Sequence, residues 1–287
     1  MHKNVIFKSL AVFVLVFFSF TNDINAQKKE KKKKAEKQKL VEITTEYGKI
    51  KLALYNETPG HRDNFLKLVN QKFYDSLLFH RIIKDFMIQG GDPTSKKASS
   101  DQPLGNGGLE YTIPAEFNPK FIHKKGALAA ARTGDDINPL KASSSCQFYI
   151  VQGRGVNAND LNYMEQRINQ QKKQEIFNVI INKPENKDLR VRFITNQRNQ
   201  DTMAVLTKII DPLIQVEVDK VGAFKYTDEQ KEAYTKLGGT PHLDMGYTIF
   251  GEVIEGLDVI DKIAAVEKNP QDRPKKDVWM TMKQVKK

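Results

Sequence analysis

The stretch FHRIIKDFMIQGGDPT, at residues 79–94, constrains the fold of this chain more than any other. Its first half alternates like a half-buried β-strand, with Phe79, Arg81 and Ile83 predicted on one face. Paired glycines and a proline follow. Glycine adopts backbone angles that other residues avoid, and proline cannot donate to a β-ladder. The pattern therefore predicts a strand that ends in a tight turn.

The same stretch carries an unusual set of side chains. Within nine residues it offers a guanidinium, an aromatic ring, a thioether and a carboxamide, on Arg81, Phe86, Met87 and Gln89. It brings no catalytic nucleophile, no metal-ligand cluster and no phosphate-binding loop. On these residues alone, a core strand with one stray arginine and a strand that lines a binding site both stay open.

Four blocks, in order along the chain, resemble the cyclophilin family of peptidyl-prolyl isomerases. The blocks are FHRIIKDFMIQGGD at residues 79–92, GALAAAR at 126–132, SSCQFYIV at 144–151 and TPHLDMGYTIFGEVIEGLDVIDKI at 240–263. The resemblance covers most of residues 41–153 and 238–287. It implies a mainly β fold over residues 40–287: a closed eight-stranded antiparallel barrel capped by two helices, with an all-helical insertion.

The resemblance also implies roles for individual residues. Arg81, Phe86 and Gln89 are expected to be catalytic, with the Arg81 guanidinium donating to the prolyl nitrogen. Eight more residues are expected to bind the substrate, namely Met87, Ala131, Arg132, Gln147, Tyr149, His242, Leu243 and Tyr247. Four of these depart from the family's common Asn, Phe, Trp and His, namely Arg132, Tyr149, His242 and Tyr247.

The implied activity is peptidyl-prolyl cis–trans isomerisation (EC 5.2.1.8) in exported, unfolded or loop segments, as an aid to protein folding. Proline-containing polypeptides are the expected partners, and the chain is expected to be a monomer. No cofactor or metal is expected, because rotation needs no proton transfer and the five histidines lack ligand spacing. The alternative is a peptide-binding chaperone or scaffold whose isomerase activity is incidental.

The N-terminal segment, residues 1–26, has the pattern of a secretory signal peptide. Lys3 and Lys8 precede an eleven-residue apolar run at residues 10–20, and Ala26 offers a small residue before a cut. We therefore expect an exported, periplasmic protein. The alternative is a chain tethered to the membrane by an uncleaved segment, although the run is shorter than the roughly 20 residues that span a bilayer.

The next segment, residues 27–39, holds eight lysines and two glutamates, or +6 of the chain's total charge of +11. It is predicted to be a disordered linker. Weak contact of its lysines with an anionic surface such as lipid head groups is the alternative. A nucleic-acid partner is not expected, because no aromatic residues interleave with the lysines.

Residues 154–237 depart from the family pattern and are predicted to form the helical insertion. Apolar residues recur there at roughly helical spacing among many Gln, Lys and Glu. A break is predicted at Asp211 and Pro212, because proline interrupts a helix. Thr227 and Gln230 form a capping-box pattern that predicts the start of the last helix.

Three single residues receive structural interpretations. Cys146 is the one cysteine of the chain and is expected to pack as a small hydrophobe, so no internal disulfide forms. His61 has no metal-ligand partner at suitable spacing and is expected on the surface. Trp279 is expected to pack against the core.

Overall fold

The computed structural model describes residues 37–286, which belong to one compact unit. The predicted signal peptide and all but the last three residues of the predicted linker lie outside the described residues. No helix within residues 37–286 is both long and apolar enough to cross a bilayer.

The described residues contain eleven strands and six α-helices. The strands are β1 (Lys39–Thr45), β2 (Gly48–Leu54), β3 (Leu77–Leu78), β4 (Arg81–Ile83), β5 (Met87–Gly90), β6 (Thr112–Ile113), β7 (Ala127–Ala130), β8 (Ser143–Ser144), β9 (Phe148–Val151), β10 (Ile249–Glu255) and β11 (Trp279–Val285). The helices are α1 (Pro59–Asn70), α2 (Ala158–Ile181), α3 (Lys187–Thr195), α4 (Gln200–Val221), α5 (Asp228–Leu237) and α6 (Leu257–Ala264).

Nine strands form one curled antiparallel sheet in the order β3–β11–β1–β2–β10–β7–β9–β5–β4, and β6 pairs with β8. The two edge strands, β3 and β4, are separated along the chain by only Phe79 and His80. Phe79 N–H donates to the Val278 carbonyl at 2.9 Å, on the β11 side. β4 then pairs with β5, at the opposite edge. One short segment thus supplies both edges of the sheet, which explains why the sheet must curl.

The prediction of eight strands is not confirmed, because the main sheet has nine strands. The segment predicted as one strand, residues 79–94, contains both β4 and β5. Closure into a barrel is not confirmed, since no ladder joins β3 to β4 within residues 37–286. The prediction of a mainly β fold with capping helices is confirmed at the level of a curled antiparallel sheet that packs against helices.

The main core lies between the inner face of this sheet and the helices α1 and α6. Alternate residues of β1 and β2 are fully buried, as the period of two along a strand requires. Helix α1 begins at Pro59, where a missing N–H costs little. The two helices bury apolar side chains in the same cluster: Phe65, Leu68 and Val69 from α1, and Val259, Ile260 and Ile263 from α6.

Helices α2 to α5 lie within the predicted insertion and use two small clusters of their own. One cluster joins them to the β domain, because Ile122 packs with Leu161 of α2 and Tyr234 of α5. The other holds the insertion together, with Ile180 of α2 packed against Ile210 of α4. The predicted capping box is confirmed, since Thr227 and Gln230 bond reciprocally at the start of α5.

The predicted break at Asp211 and Pro212 is wrong. Helix α4 continues through Pro212 to Val221, and the chain breaks earlier, between Thr195 and Gln200. Proline costs a helix roughly 3 kcal/mol. Ile210 and Ile214, two positions before and after Pro212, are buried in the cluster that holds the insertion together. This packing offsets the cost of the proline.

Two single-residue expectations are corrected, and one is confirmed. His61 is buried, since only 2% of its surface is exposed, and its Nδ1 lies 2.6 Å from Glu116 Oε2. Trp279 is 42% exposed, because its two neighbours, Val278 and Met280, point inward and are buried. Cys146 is buried in the main core, as expected.

Candidate active site

Nine of the eleven predicted site residues line one cavity of about 160 Å³, here called the central cavity. They are Arg81, Phe86, Met87, Gln89, Ala131, Arg132, Tyr149, Leu243 and Tyr247. The two others lie next to it: Gln147 bonds to Gln89, and His242 stacks on Phe86. The structure thus brings together residues that are up to 166 positions apart, since Arg81 and Tyr247 share this cavity.

Strand register explains how these residues meet. Arg81 of β4 lies opposite Gln89 of β5, and Gln89 lies opposite Tyr149 of β9. Tyr149 in turn lies opposite Ala129 of β7. Directly opposed residues on neighbouring strands point to the same face of a sheet. The polar and aromatic side chains therefore form one row across three strands.

A chain of hydrogen bonds positions the polar end of the cavity. Arg81 Nη1 donates to Gln89 Oε1 at 3.3 Å, and Gln89 Nε2 donates to Gln147 Oε1 at 2.9 Å. Gln147 Nε2 donates to the carbonyls of Gly105 and Gly107, at 2.9 and 2.6 Å. Within residues 37–286 the Arg81 guanidinium makes this one hydrogen bond, so its other N–H groups are available to a ligand.

The apolar side of the cavity is built from packed aromatic and thioether groups. Met87 and Tyr149 are almost fully buried. Tyr247 meets Tyr149 edge to face, with ring centroids 5.9 Å apart. The Arg132 guanidinium lies 4.5 Å from the centre of the Tyr247 ring and donates to the Gly246 carbonyl at 2.7 Å. Arg132 thereby fixes the Tyr247 ring.

The backbone beside the cavity offers one free pair of groups. Ala131 N–H donates to the Gln147 carbonyl at 3.0 Å, and its own carbonyl accepts from Ser144 N–H at 2.8 Å. Both Ala131 groups are therefore occupied. The Arg132 N–H and carbonyl have no partner among the described residues. The expected pairing with a substrate strand is accordingly restricted to Arg132.

A buried polar network that the sequence analysis missed anchors Tyr149. The Tyr149 hydroxyl lies 2.9 Å from His123 Nε2, and His123 Nδ1 lies 2.7 Å from Asp244 Oδ1. Asp244 Oδ2 accepts from the hydroxyls of Tyr226 at 2.6 Å and Tyr234 at 2.5 Å. Carboxylate oxygens accept hydrogen bonds, which assigns the proton of His123 to Nδ1 and leaves Nε2 to accept from Tyr149.

Burial raises the pKa of Tyr149, and likewise of Tyr226 and Tyr234, well above the usual value for tyrosine. All three therefore stay protonated as donors at neutral pH. No local pattern in the sequence could reveal this network, because its members lie on separate segments and meet only after folding.

His242 lies on the far side of Phe86, with the two rings stacked at 5.5 Å. It lines a second cavity of about 510 Å³, here called the insert cavity. Burial lowers the pKa of His242 below its usual value, and the positive charge of Arg167 acts in the same direction. Its imidazole is therefore mainly neutral at pH 7.

A third cavity of about 640 Å³, here called the loop cavity, is lined mainly by the segments around residues 105–112 and 137–145. It shares Gln89, Ala131 and Arg132 with the central cavity. No cluster of three or more potential metal ligands occurs within residues 37–286.

Comparison with known proteins identifies the family of the chain. The family model described as cyclophilin type peptidyl-prolyl cis-trans isomerase/CLD matches residues 40–182 and 227–286, which is well over half of the chain. The match leaves out residues 183–226, which lie inside the predicted insertion.

Among curated proteins, the chain is 28% identical over 244 residues to a putative peptidyl-prolyl cis-trans isomerase of Staphylococcus aureus strain USA300, covering 83% of this chain and 87% of that protein. It is also 28% identical over 241 residues to a putative bifunctional phosphatase/peptidyl-prolyl cis-trans isomerase of Streptococcus pyogenes serotype M6. That alignment covers 83% of this chain but only 37% of the longer relative.

Among solved structures, a cyclophilin type peptidyl-prolyl cis-trans isomerase of Cryptosporidium parvum aligns with a TM-score of 0.51 at 19% identity. The alignment covers 87% of this chain and 99% of that one, and it supports the fold. The row of site residues across β4, β5 and β9, together with the family match, leads to one conclusion: the chain belongs to the cyclophilin-type peptidyl-prolyl cis-trans isomerase family.

Proposed function

We propose that the protein catalyses rotation about X–Pro bonds in polypeptides, with the proline ring in the central cavity and Arg81 beside its nitrogen. The observation that carries the proposal is the position of Arg81. Its guanidinium lies at the rim of the central cavity, opposite the apolar side of that cavity, and bonds to Gln89 with most of its donors unused.

Rotation about the X–Pro bond requires little beyond such a donor. Rotation about an X–Pro bond loses amide resonance, at a cost of roughly 20 kcal/mol, and breaks no covalent bond. The twisted state has a pyramidal nitrogen with a lone pair. An N–H donor aimed at that lone pair stabilises the transition state more than the ground state, which is the condition for catalysis.

The other residues hold the substrate. Met87 and Tyr149 form the apolar floor, and Phe86 and Leu243 enclose the proline ring. The free backbone groups of Arg132 pair with the substrate strand. A bound peptide displaces water from the cavity, which strengthens the electrostatic effect of Arg81.

A chaperone or scaffold role is the second candidate, because helix α4 exposes an apolar stripe. Val205, Ile209, Leu213 and Val216 are each about half exposed and recur every three or four residues. Such a stripe lies on one side of a helix. It favours contact with unfolded polypeptides in addition to catalysis.

Two finer features belong to the same proposal. Family membership supports closure of the curled sheet into a barrel, with Phe79 and His80 joining its edges. The signal-peptide pattern of residues 1–26 supports export to the periplasm, with residues 27–39 as a linker and residues 154–237 as an insertion in the isomerase domain.

Exchange between the cis and trans forms of a short Ala–Pro peptide, measured by NMR with catalytic amounts of the full chain, tests the activity. Accelerated exchange is expected. If the folded protein leaves the exchange rate unchanged, the isomerase function is rejected and the scaffold role remains.

A further inference from the structure

Three cavities lie side by side on the face that carries the candidate site. The central cavity shares Gln89, Ala131 and Arg132 with the loop cavity, and it shares Phe86 with the insert cavity. The insert cavity therefore lies across Phe86 from the central cavity, away from the residues that the loop cavity shares. A polypeptide that places its proline in the central cavity passes one of these neighbours on each side.

The insert cavity has walls from two parts of the chain. The β domain contributes Phe86, Pro241 and His242, and the predicted insertion contributes Val156 and Met164. Val156 is buried and Met164 half-buried. Methionine is flexible and polarizable, and it adapts to varied apolar partners. The insertion thus adds two apolar side chains, those of Val156 and Met164, next to the place proposed for the substrate proline.

The charged residues around this cavity are hydrated, hydrogen-bonded or neutral. Its apolar side chains are therefore expected to determine which substrate side chain it accepts. Asp85 and Arg154 are exposed, so their charges are hydrated. The carboxylate of Asp160 accepts from Asn157 N–H at 3.1 Å in the capping box of α2. The pKa of His242 is lowered by burial, so this side chain is mainly neutral.

We propose that the insert cavity is a substrate subsite that accepts a large apolar side chain two residues away from the isomerised proline. The proposal rests on the isomerase function proposed above. In an extended chain, side chains two residues apart lie on the same face, about 6.5 to 7 Å from each other. At Phe86 the barrier between the cavities is one aromatic ring thick, since this side chain lines both of them. A chain held against Arg132 therefore brings that side chain across the Phe86 ring.

Kinetics on matched peptides test the subsite. The peptides carry either Leu or Gly two residues before the proline, or two residues after it, and are otherwise identical. Leu is expected to raise kcat/KM about tenfold over Gly at one of the two positions, the size of effect that a single apolar side chain produces in a pocket. No such gain is expected at the other position.

Substitutions at Met164 locate the effect. Met164→Trp fills the cavity and is expected to abolish the preference for Leu. Met203→Trp is the matched control: Met203 is a half-buried methionine on α4 that lines none of the three cavities, so this variant should keep the preference. If Met164→Trp fails to fold by circular dichroism, Met164→Ala replaces it and should reduce the preference severalfold.

The outcomes separate the two proposals. A folded wild-type protein inactive on every peptide would overturn the isomerase function itself. Activity without a Leu preference at either position would overturn the subsite alone. The same holds for a preference that survives in the folded Met164 variant.

Discussion

Tyr234, on helix α5 of the predicted insertion, donates a 2.5 Å hydrogen bond to Asp244. The residue before Asp244 in the chain, Leu243, lines the central cavity. Asp244 also binds His123, and His123 contacts the Tyr149 hydroxyl. A polar path thus runs from the insertion to the floor of the central cavity.

This path predicts that Tyr234→Phe affects both stability and activity. The variant removes one donor to a buried carboxylate, at a cost of about 1 to 3 kcal/mol. We expect a lower Tm and, in assays far below it, a severalfold lower kcat/KM, because Tyr149 is less firmly oriented. Tyr163→Phe, at an exposed tyrosine of α2, is the control. A lower Tm with unchanged kcat/KM would limit the network to stability.

Arg81→Ala is expected to lower kcat/KM by on the order of 100-fold, the usual effect of losing one preorganised donor. Arg81→Lys should rescue poorly, because an ammonium lacks the planar fork of a guanidinium. Arg198→Ala removes an exposed arginine in the insertion and should change nothing. Near wild-type activity of a folded Arg81→Ala protein would remove Arg81 from the mechanism.

The pH dependence of catalysis should be flat between about pH 7 and 9. In this range arginine stays charged. The raised pKa of Tyr149 keeps its hydroxyl protonated, and the lowered pKa of His242 keeps its ring neutral. A chelator should leave the rate unchanged. A bell-shaped profile of kcat/KM, or loss of activity with the chelator, would indicate a different chemistry.

Cyclosporin, the cyclic peptide inhibitor of this family, should inhibit weakly. His242 is expected to stand where many family members carry a tryptophan, and its smaller ring stacks on Phe86. His242→Trp should strengthen inhibition by about 1 to 2 kcal/mol, the value of a hydrogen bond with added packing. His242→Phe adds ring area without an N–H donor and should gain less. Tight inhibition of the unmodified protein would show that His242 does not occupy the tryptophan position.

His80 should make the protein sensitive to acid. Burial lowers the pKa of His80 to about 4, whereas an unfolded histidine titrates near 6.5. Between these values the unfolded state binds the extra proton. Stability is therefore complete above about pH 6.5 and falls as the pH drops towards 4, by roughly 3 kcal/mol from this residue. The free energy of unfolding of His80→Leu, followed by urea titration, should fall less over this interval. An equal fall would remove His80 as the cause.

Features that depend on neighbouring residues could be predicted from the sequence. The period of two in β1 and β2, Pro59 at the start of α1 and the Thr227–Gln230 capping box are local, because backbone geometry and one helical turn decide them. The order of the four sequence blocks was enough to predict the family. It also pointed to the eleven residues that meet around the central cavity.

Other features were decided only by tertiary packing. Pro212 remains helical because Ile210 and Ile214 are buried, and His61 lies inside the domain beside Glu116. The 79–94 stretch forms two strands instead of one, because the chain turns at residues 84–86 and β4 pairs back on β5. The Tyr234–Asp244 bond and the insert cavity join segments that lie far apart in the chain. Such contacts depend on which surfaces bury each other. The spacing of apolar residues along one segment does not reveal which distant segment will pack against it.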